Sequence, residues 1–143
     1  MSIPRSSKYQ LLPHCATHAK DLIIVATCDG ASSTGQIGNE VGRRLTKTYP
    51  NMVRICCLSA VAAGSKTHID IFKNAKAVIA INGCQLMCAS KVLRDKGIQI
   101  SYEVVVAKEG IDKLPSLDFS DEEVMKIADK IVENFLSRML KQL

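Results

Sequence analysis

The cysteines are the residues whose chemistry stands out in this chain of 143 residues. There are six of them, at Cys15, Cys28, Cys56, Cys57, Cys84 and Cys88. The first twenty residues contain no apolar block of the ~7 to 15 residues that a secretory signal requires, so we expect a cytoplasmic protein. Structural disulfides are rare in a reducing compartment. Metal binding, thiol chemistry or the packing of small side chains are therefore the expected uses of these cysteines.

The composition excludes several classes of function. Hydrophobic residues make up 47% of the chain and charged residues 23%, as in ordinary globular domains. The net charge of +5 is spread along the chain, and only 4% of residues are aromatic. Because a nucleic-acid surface needs clustered basic charge or stacking aromatics, we expect no nucleic-acid partner. No apolar run approaches the ~18 to 20 residues that cross a bilayer, so we expect no membrane partner.

The elements that must position the cysteines follow from the hydrophobic pattern. From Asp21 onward, short apolar runs alternate with amphipathic segments, which is typical of βαβ units. We therefore predict a single α/β domain over residues 21–143, preceded by an N-terminal arm over residues 1–20. The domain is predicted to have three layers (α/β/α) around a mainly parallel four-stranded sheet of order 2-1-3-4, Rossmann-like or flavodoxin-like. The predicted strands are residues 22–27, 53–58, 77–81 and 100–107.

Segments with the sequence pattern of helices lie between and after these strands. Ser33 and Gln36 have the spacing of a capping box, before a helix that ends near Tyr49. Gly38 and Gly42 on that helix indicate a close approach to the sheet. Three more helices are predicted, one at residues 67–74, one from Cys84 to Gly97, and a long one after a capping box at Ser120 and Glu123. The long helix carries an apolar stripe of Val124, Ile127, Ala128, Ile131, Phe135 and Met139.

Four cysteines fall at one predicted edge of this sheet. Cys28, Cys57 and Cys84 lie at or near the carboxyl ends of three successive strands, the edge where open α/β sheets bind ligands. Cys88 follows Cys84 by one turn of the predicted helix. Four thiolates match the donor set of a tetrahedral zinc site, so we predict zinc ligation by these four residues. We assign Cys56 to packing, because adjacent strand residues point to opposite faces of a sheet.

Two other functions remain open for the same thiols. Cys28 or Cys84 could act as an activated thiolate with Cys88 as its resolving partner, which would make the protein a cysteine-based redox or sulfur-transfer enzyme. Four thiolates also suit an iron–sulfur cluster. The sequence alone leaves open whether a bound metal is structural or catalytic.

Three segments of the sequence resemble a known family. The stretches CDGASSTG, CCLSAV and INGCQLMCA are similar to the DGC-domain family of proposed zinc-binding proteins, a likeness that covers roughly residues 22–110. The resemblance implies zinc binding by four cysteines, which fall on Cys28, Cys57, Cys84 and Cys88 of this chain. Where the family name has Asp-Gly-Cys, this chain has an amide, Asn82, before Gly83 and Cys84. An acid/base role at residue 82 is therefore not expected, whereas a role in the turn is.

A few other residues are weaker candidates. His14, Cys15 and His18 lie close together on the arm, and such clusters can bind metal or complete a site. We expect His68 to be a surface or capping residue. The loop at residues 28–35 precedes a helix but lacks the motifs of nucleotide-binding loops, so no nucleotide cofactor is predicted.

Overall fold

Apolar runs rich in β-branched residues form the strands of the sheet, and the two central strands are buried along their whole length. The computed structural model describes residues 8–141, and its strands are β1 (Ile23–Thr27), β2 (Val53–Ile55), β3 (Ala77–Asn82) and β4 (Tyr102–Val105). All four are parallel, in the order β2-β1-β3-β4. The predicted sheet and its strand order are therefore confirmed.

Helices connect the strands and cover both faces of the sheet. They are α1 (Cys15–His18), α2 (Ser33–Thr48), α3 (Leu58–Ala62), α4 (Lys66–Asn74), α5 (Cys88–Asp95), α6 (Asp121–Ile131) and α7 (Ser137–Leu140). Single 3-10 turns lie at Ala19–Asp21 and Val106–Lys108, and a π-helical turn at Val132–Leu136 joins α6 to α7. Within the described residues, no helix is long and apolar enough to cross a membrane.

The alternation of side chains along β1 creates the three layers. Ile23 and Val25 pack into one apolar cluster with residues of α2 and α6, whereas Ile24 and Ala26 pack into a second cluster with residues of α3, α4 and α5. All four side chains are fully buried. Because successive strand residues point to opposite faces, consecutive apolar residues in a central strand can pack into two cores at once. The predicted three-layer architecture is confirmed.

Helix α2 packs closely on the sheet. A Cβ added at Gly42 would lie 2.9 Å from the Ile55 Cδ1 atom, and one added at Gly38 would lie 3.2 Å from the Ile81 Cγ2 atom. This agrees with the close approach predicted from the two glycines. Gly97 has a φ of +72° just after α5, as predicted for a residue that ends a helix.

The first cap of α2 differs from the prediction. Ser32 is the N-cap, and its hydroxyl accepts a hydrogen bond from the Gly35 N–H. The Ser33 hydroxyl instead contacts the loop at residues 112–114, and the Gln36 side chain donates to the Gly30 carbonyl. The predicted capping box at Ser33 and Gln36 is therefore wrong by one residue, because both side chains bind the surrounding loops.

The C-terminal helix keeps its predicted cap and core face. Ser120 and Glu123 form a reciprocal capping box at the start of α6. The predicted stripe is buried up to Ile131, and Phe135 continues it by stacking on Tyr102 at a centroid distance of 5.4 Å. The π-helical turn adds a residue to the repeat, so Leu136 is also fully buried although it lies outside the predicted stripe.

Asn82 at the end of β3 joins three elements. Its amide donates to the Ser90 hydroxyl at 2.8 Å and to the Val104 carbonyl at 3.3 Å, and its carbonyl oxygen accepts from the Ser90 N–H at 3.1 Å. Asn82 and Ser90 are completely buried. A carboxylate could not donate the first two bonds, so the amide at this position has a structural role.

We expect Asn82→Ala to lower the free energy of unfolding by roughly 2 to 6 kcal/mol. The substitution leaves the buried N–H of Ser90 and the carbonyl of Val104 without partners, and each such group costs roughly 1 to 3 kcal/mol. Urea unfolding measures the change. Asn74→Ala, at an exposed position of α4, is the matched control and should change stability by no more than about 0.5 kcal/mol. Equal stability of the two variants would contradict the role assigned to Asn82.

Candidate functional site

A small cleft opens where β1 and β3 end, at the carboxyl edge of the sheet. Its volume is about 190 Å³, and three cysteines line it, Cys28, Cys84 and Cys88. Lys113 is the charged residue among the described lining. The other lining residues are Gly30, Ala31, Ser32, Gly35, Gly83 and Leu86. Because β1 and β3 pair directly, this cleft lies at the predicted switch point of the sheet.

Three glycines that line this cleft, Gly30, Gly35 and Gly83, lie close to one another. A Cβ added at Gly35 would lie 2.4 Å from the Gly30 carbonyl oxygen, and one added at Gly83 would lie 2.8 Å from the Gly35 N atom. Such distances are far below van der Waals contact, so the three backbones meet where no side chain fits. The chain after β1, the start of α2 and the chain after β3 are thereby held together. Cys28 and Cys84 are carried by two of these three segments.

Unusual backbone conformations flank two of the cleft cysteines. Among the described residues, the non-glycine residues with positive φ are Asp29, at 51°, and Met87, at 55°. Asp29 follows Cys28, and its carboxylate accepts a hydrogen bond from the Thr27 hydroxyl at 2.5 Å. Met87 precedes Cys88 and has a bulky side chain, for which this conformation is strained. Strained residues of this kind cluster at functional sites.

Cys84 and Cys88 are brought to the cleft by a turn. The Met87 N–H donates to the Cys84 carbonyl at 3.0 Å, and α5 begins only at Cys88. The prediction that both cysteines lie on the first turn of one helix is therefore wrong. The left-handed conformation of Met87 interrupts the helix, and the turn at residues 84–87 replaces it.

Lys113 comes from a distant part of the chain. Its Nζ atom donates to the Cys84 Sγ atom at 3.4 Å. The loop that carries it is attached to α2 through Ser33, whose hydroxyl accepts from the Leu114 N–H at 2.8 Å. In return, the Ser33 N–H donates to the Leu114 carbonyl at 3.1 Å. The sequence gives no signal for this residue, because one lysine in a polar loop has no spacing that links it to a cysteine.

Cys57 lies outside this cleft lining. Strand β2 ends at Ile55, and Cys57 is the exposed N-cap residue of α3. The predicted strand at residues 53–58 is therefore too long, because the chain turns into a helix that the sequence analysis did not predict. The Cys56 N–H still donates to the Val25 carbonyl at 3.0 Å, so the β1 pairing continues past Ile55. Extending this register places Cys57 beside Thr27, one residue before Cys28.

Cys56, the residue before Cys57, packs against the interior of the domain. It is half-buried against the apolar cluster of α3, α4 and α5, and its thiol lies 4.0 Å from the Cys15 sulfur. Burial, followed by the proximity of Cys15, raises the pKa of Cys56 to about 12. Cys56 therefore keeps its proton at neutral pH. This environment suits the packing role predicted for it.

The histidines that the sequence analysis singled out make local contacts. His14 is the N-cap of α1, and its Nδ1 atom lies 3.4 Å from the Thr17 hydroxyl. His68 lies near the start of α4, where its Nδ1 atom is 2.8 Å from the hydroxyl of the N-cap Ser65, as expected for a capping residue. Within residues 8–141, no three His, Cys, Asp or Glu side chains lie close enough to hold a metal ion as they stand.

Comparison with known families agrees with the resemblance noted in the sequence. A model of the DGC domain matches residues 24–131, which is more than half of the chain. The chain belongs to the DGC domain family. The matched segment begins within β1, ends with α6, and includes all the residues that line the cleft. Searches of curated proteins and of solved structures each found no significant match.

We expect Gly35→Ala to disrupt this DGC-domain cleft. The added methyl group would lie 2.4 Å from a backbone carbonyl that cannot rotate away, so the chain around Cys28 must shift. Overpacking of this kind costs roughly 1 to 3 kcal/mol. Urea unfolding and the alkylation rate of Cys28 measure the two effects.

Gly30→Ala is the matched control for this substitution. A Cβ at Gly30 would meet its nearest atoms at 3.6 and 3.8 Å, which are ordinary contact distances. Its free energy of unfolding should stay near that of the unmodified chain, whereas the alkylation rate of Cys28 is not compared in this variant, because the new methyl group would lie 3.6 Å from the Cys28 sulfur. A Gly35→Ala variant that behaves like this control would show that the glycine contact does not hold the cleft.

Proposed function

We propose that this domain binds one zinc ion through Cys28, Cys84 and Cys88, with Cys57 as the fourth ligand. The observation that carries the proposal is that three thiols, from two separate parts of the chain, line one cleft of about 190 Å³. Thiolates are the preferred ligands of structural zinc. Two of the three cysteines lie beside strained residues, Asp29 and Met87, and such strain is typical of binding sites.

The cleft residues fit zinc in their chemistry. A Zn–S distance of ~2.3 Å in a tetrahedral site separates ligand sulfurs by about 3.8 Å, so the thiols must rotate inward on binding. Cys88 is exposed and Cys28 and Cys84 are half-buried, which leaves these side chains room to rotate. The glycine contact between Gly30, Gly35 and Gly83 keeps the backbones of two ligands close together throughout.

The charges around the cleft also favour a thiolate site. A zinc ion with four thiolates carries a net charge of about −2. The ammonium group of Lys113, 3.4 Å from the Cys84 sulfur, offsets part of that charge. The amino end of α5 lies at Cys88 itself, and the dipole of a helix favours negative charge there.

Cys57 decides whether the proposed site is closed or open. Its exposed thiol follows the end of β2, which pairs with β1, and Cys28 follows β1 itself, so both cysteines lie at the carboxyl edge of the sheet. With four cysteine ligands the zinc would be saturated and structural. With three, the fourth position would be open to water, as in catalytic zinc sites. We favour the closed site, in a protein of the reducing cytoplasm, where the four proposed ligand thiols stay reduced and free for metal.

We expect one zinc ion per chain in protein purified under reducing conditions. Cys28→Ser, Cys84→Ser and Cys88→Ser should each lower the zinc content at least fivefold, because each substitution removes a ligand that faces the cleft. Elemental analysis and a zinc-binding dye measure the content. Cys57→Ser should retain zinc with weaker affinity, and a loss as complete as for the other three would show that Cys57 is equally essential.

Cys56→Ser is the matched control, since Cys56 neighbours Cys57 but is packed away from the cleft. Its zinc content should equal that of the unmodified protein. An absorption spectrum of protein purified without oxygen separates the metals, because an iron–sulfur cluster absorbs broadly in the visible range and zinc does not. Well under one zinc per chain, with Cys28, Cys84 and Cys88 all freely alkylated, would overturn the proposal.

A second function, thiol chemistry at Cys84, is favoured by one observation. The Lys113 ammonium group donates a hydrogen bond to the Cys84 sulfur, and reactive cysteines lie in partly exposed sites beside cationic side chains. The cleft is large enough for a small substrate group beside that sulfur. Redox or sulfur-transfer activity would then use Cys84 as the nucleophile and Cys88 as the resolving thiol.

We expect Lys113→Met to slow the alkylation of Cys84 severalfold in metal-free protein at neutral pH. The cause is the loss of the ammonium group that contacts the Cys84 sulfur, so Cys88 should be less affected. Mass spectrometry of iodoacetamide-treated protein measures both rates. Lys113→Arg keeps the charge and should retain most of the reactivity. Unchanged alkylation of Cys84 in Lys113→Met would remove the support for this second function.

A further inference from the structure

Two cysteines outside the cleft lie close together. Cys15 is the first residue of α1, and Cys56 follows β2, yet their sulfur atoms are 4.0 Å apart. The Cys56 thiol donates a hydrogen bond to the Cys15 sulfur. The two residues are separated by 41 positions in the sequence. The proposed zinc site uses neither of them.

The fold holds both partners in place. Cys15 packs against the same apolar cluster as Cys56. The chain that continues from α1 is fixed by Ala19, which is buried and whose carbonyl accepts from the N–H groups of Leu22 and Lys76. Cys56 is fixed by the hydrogen bond from its N–H to the Val25 carbonyl. Their proximity therefore follows from anchored backbone on both sides.

We propose that Cys15 and Cys56 form a reversible disulfide, a thiol modification site distinct from the cysteines of the cleft. A disulfide needs the sulfurs at about 2.05 Å, so they must approach by about 2 Å, which rotation of two short side chains can supply. Both residues are half-buried and therefore accessible in part to solvent. The bond would fasten α1 to the carboxyl end of β2, directly beside Cys57.

Glutathione disulfide is the class of oxidant that completes the reaction. The Cys15 sulfur, which accepts the existing hydrogen bond, attacks one glutathione sulfur and releases the first glutathione. The Cys56 sulfur then attacks the Cys15 sulfur of the mixed disulfide, and the proton that Cys56 holds at neutral pH passes to the second glutathione as it leaves. The two thiol protons end on the two glutathione molecules, so two protein thiols are oxidised and one glutathione disulfide is reduced.

The test is a disulfide map of the full chain after incubation with glutathione disulfide. Free thiols are alkylated, the protein is digested with trypsin without reduction, and the peptides are identified by mass spectrometry. We expect a linked pair of the peptides at residues 9–20 and 55–66, which separates into its two members on reduction. Cys56 and Cys57 share a peptide, so variants must assign the bond.

Cys57→Ser is the variant that should keep the link, because the proposed bond does not involve Cys57. Cys56→Ser should lose it, and Cys15→Ser provides a second loss variant in case the half-buried Cys56 position tolerates serine poorly. Circular dichroism confirms that each variant is folded. A link that survives in Cys56→Ser but not in Cys57→Ser would overturn the assignment to Cys56, as would a fully alkylated Cys15 in oxidised protein. Zinc content is measured in parallel, so failure of the zinc site and failure of this disulfide are separate results.

Discussion

The contact between Gly30, Gly35 and Gly83 is the constraint on which the carboxyl edge of this domain depends. Three backbones meet there, and at Gly35 and Gly83 the distances exclude even a methyl group. Because Cys28 lies two residues before the first glycine and Cys84 directly after the last, the contact determines how far apart these thiols can be. The strained turn at Met87 then sets the position of Cys88 relative to Cys84. The geometry of the cleft is thus a property of the main chain.

The layers below the cleft make this edge rigid. Strand β1 is buried on both faces, and Asn82 ties the end of β3 to α5 and β4 by three hydrogen bonds. An internal polar network of this kind stabilises only when all its members have partners. In this chain the amide at residue 82 satisfies Ser90 and Val104 together. Asn82 therefore supports the cleft indirectly, because it fixes the end of the strand that leads to Gly83 and Cys84.

The sequence predicted the strands and their order better than it predicted where individual elements begin and end. The buried runs, their parallel order, the tight helix packing at Gly42 and the capping box at Ser120 all depend on local patterns, and the structure confirms them. The starts of α3 and α5 were missed, because both follow short turns in which tertiary contacts override the apolar pattern. The position of Cys28 at the end of a strand could be predicted from the same apolar pattern as the sheet. Because Cys28 lies at that end, it lines the cleft.

Lys113 illustrates what a sequence cannot show. It reaches Cys84 because its loop is hydrogen-bonded to Ser33, and nothing local in either segment encodes that bond. The same feature bears on the order in which the chain is made. Ser33 and Leu114 are 81 residues apart, so a growing polypeptide leaves the ribosome with its first cysteines long before the loop that completes their surroundings. The surroundings of Cys28 and Cys84 can therefore be completed only after residue 114 has been synthesised.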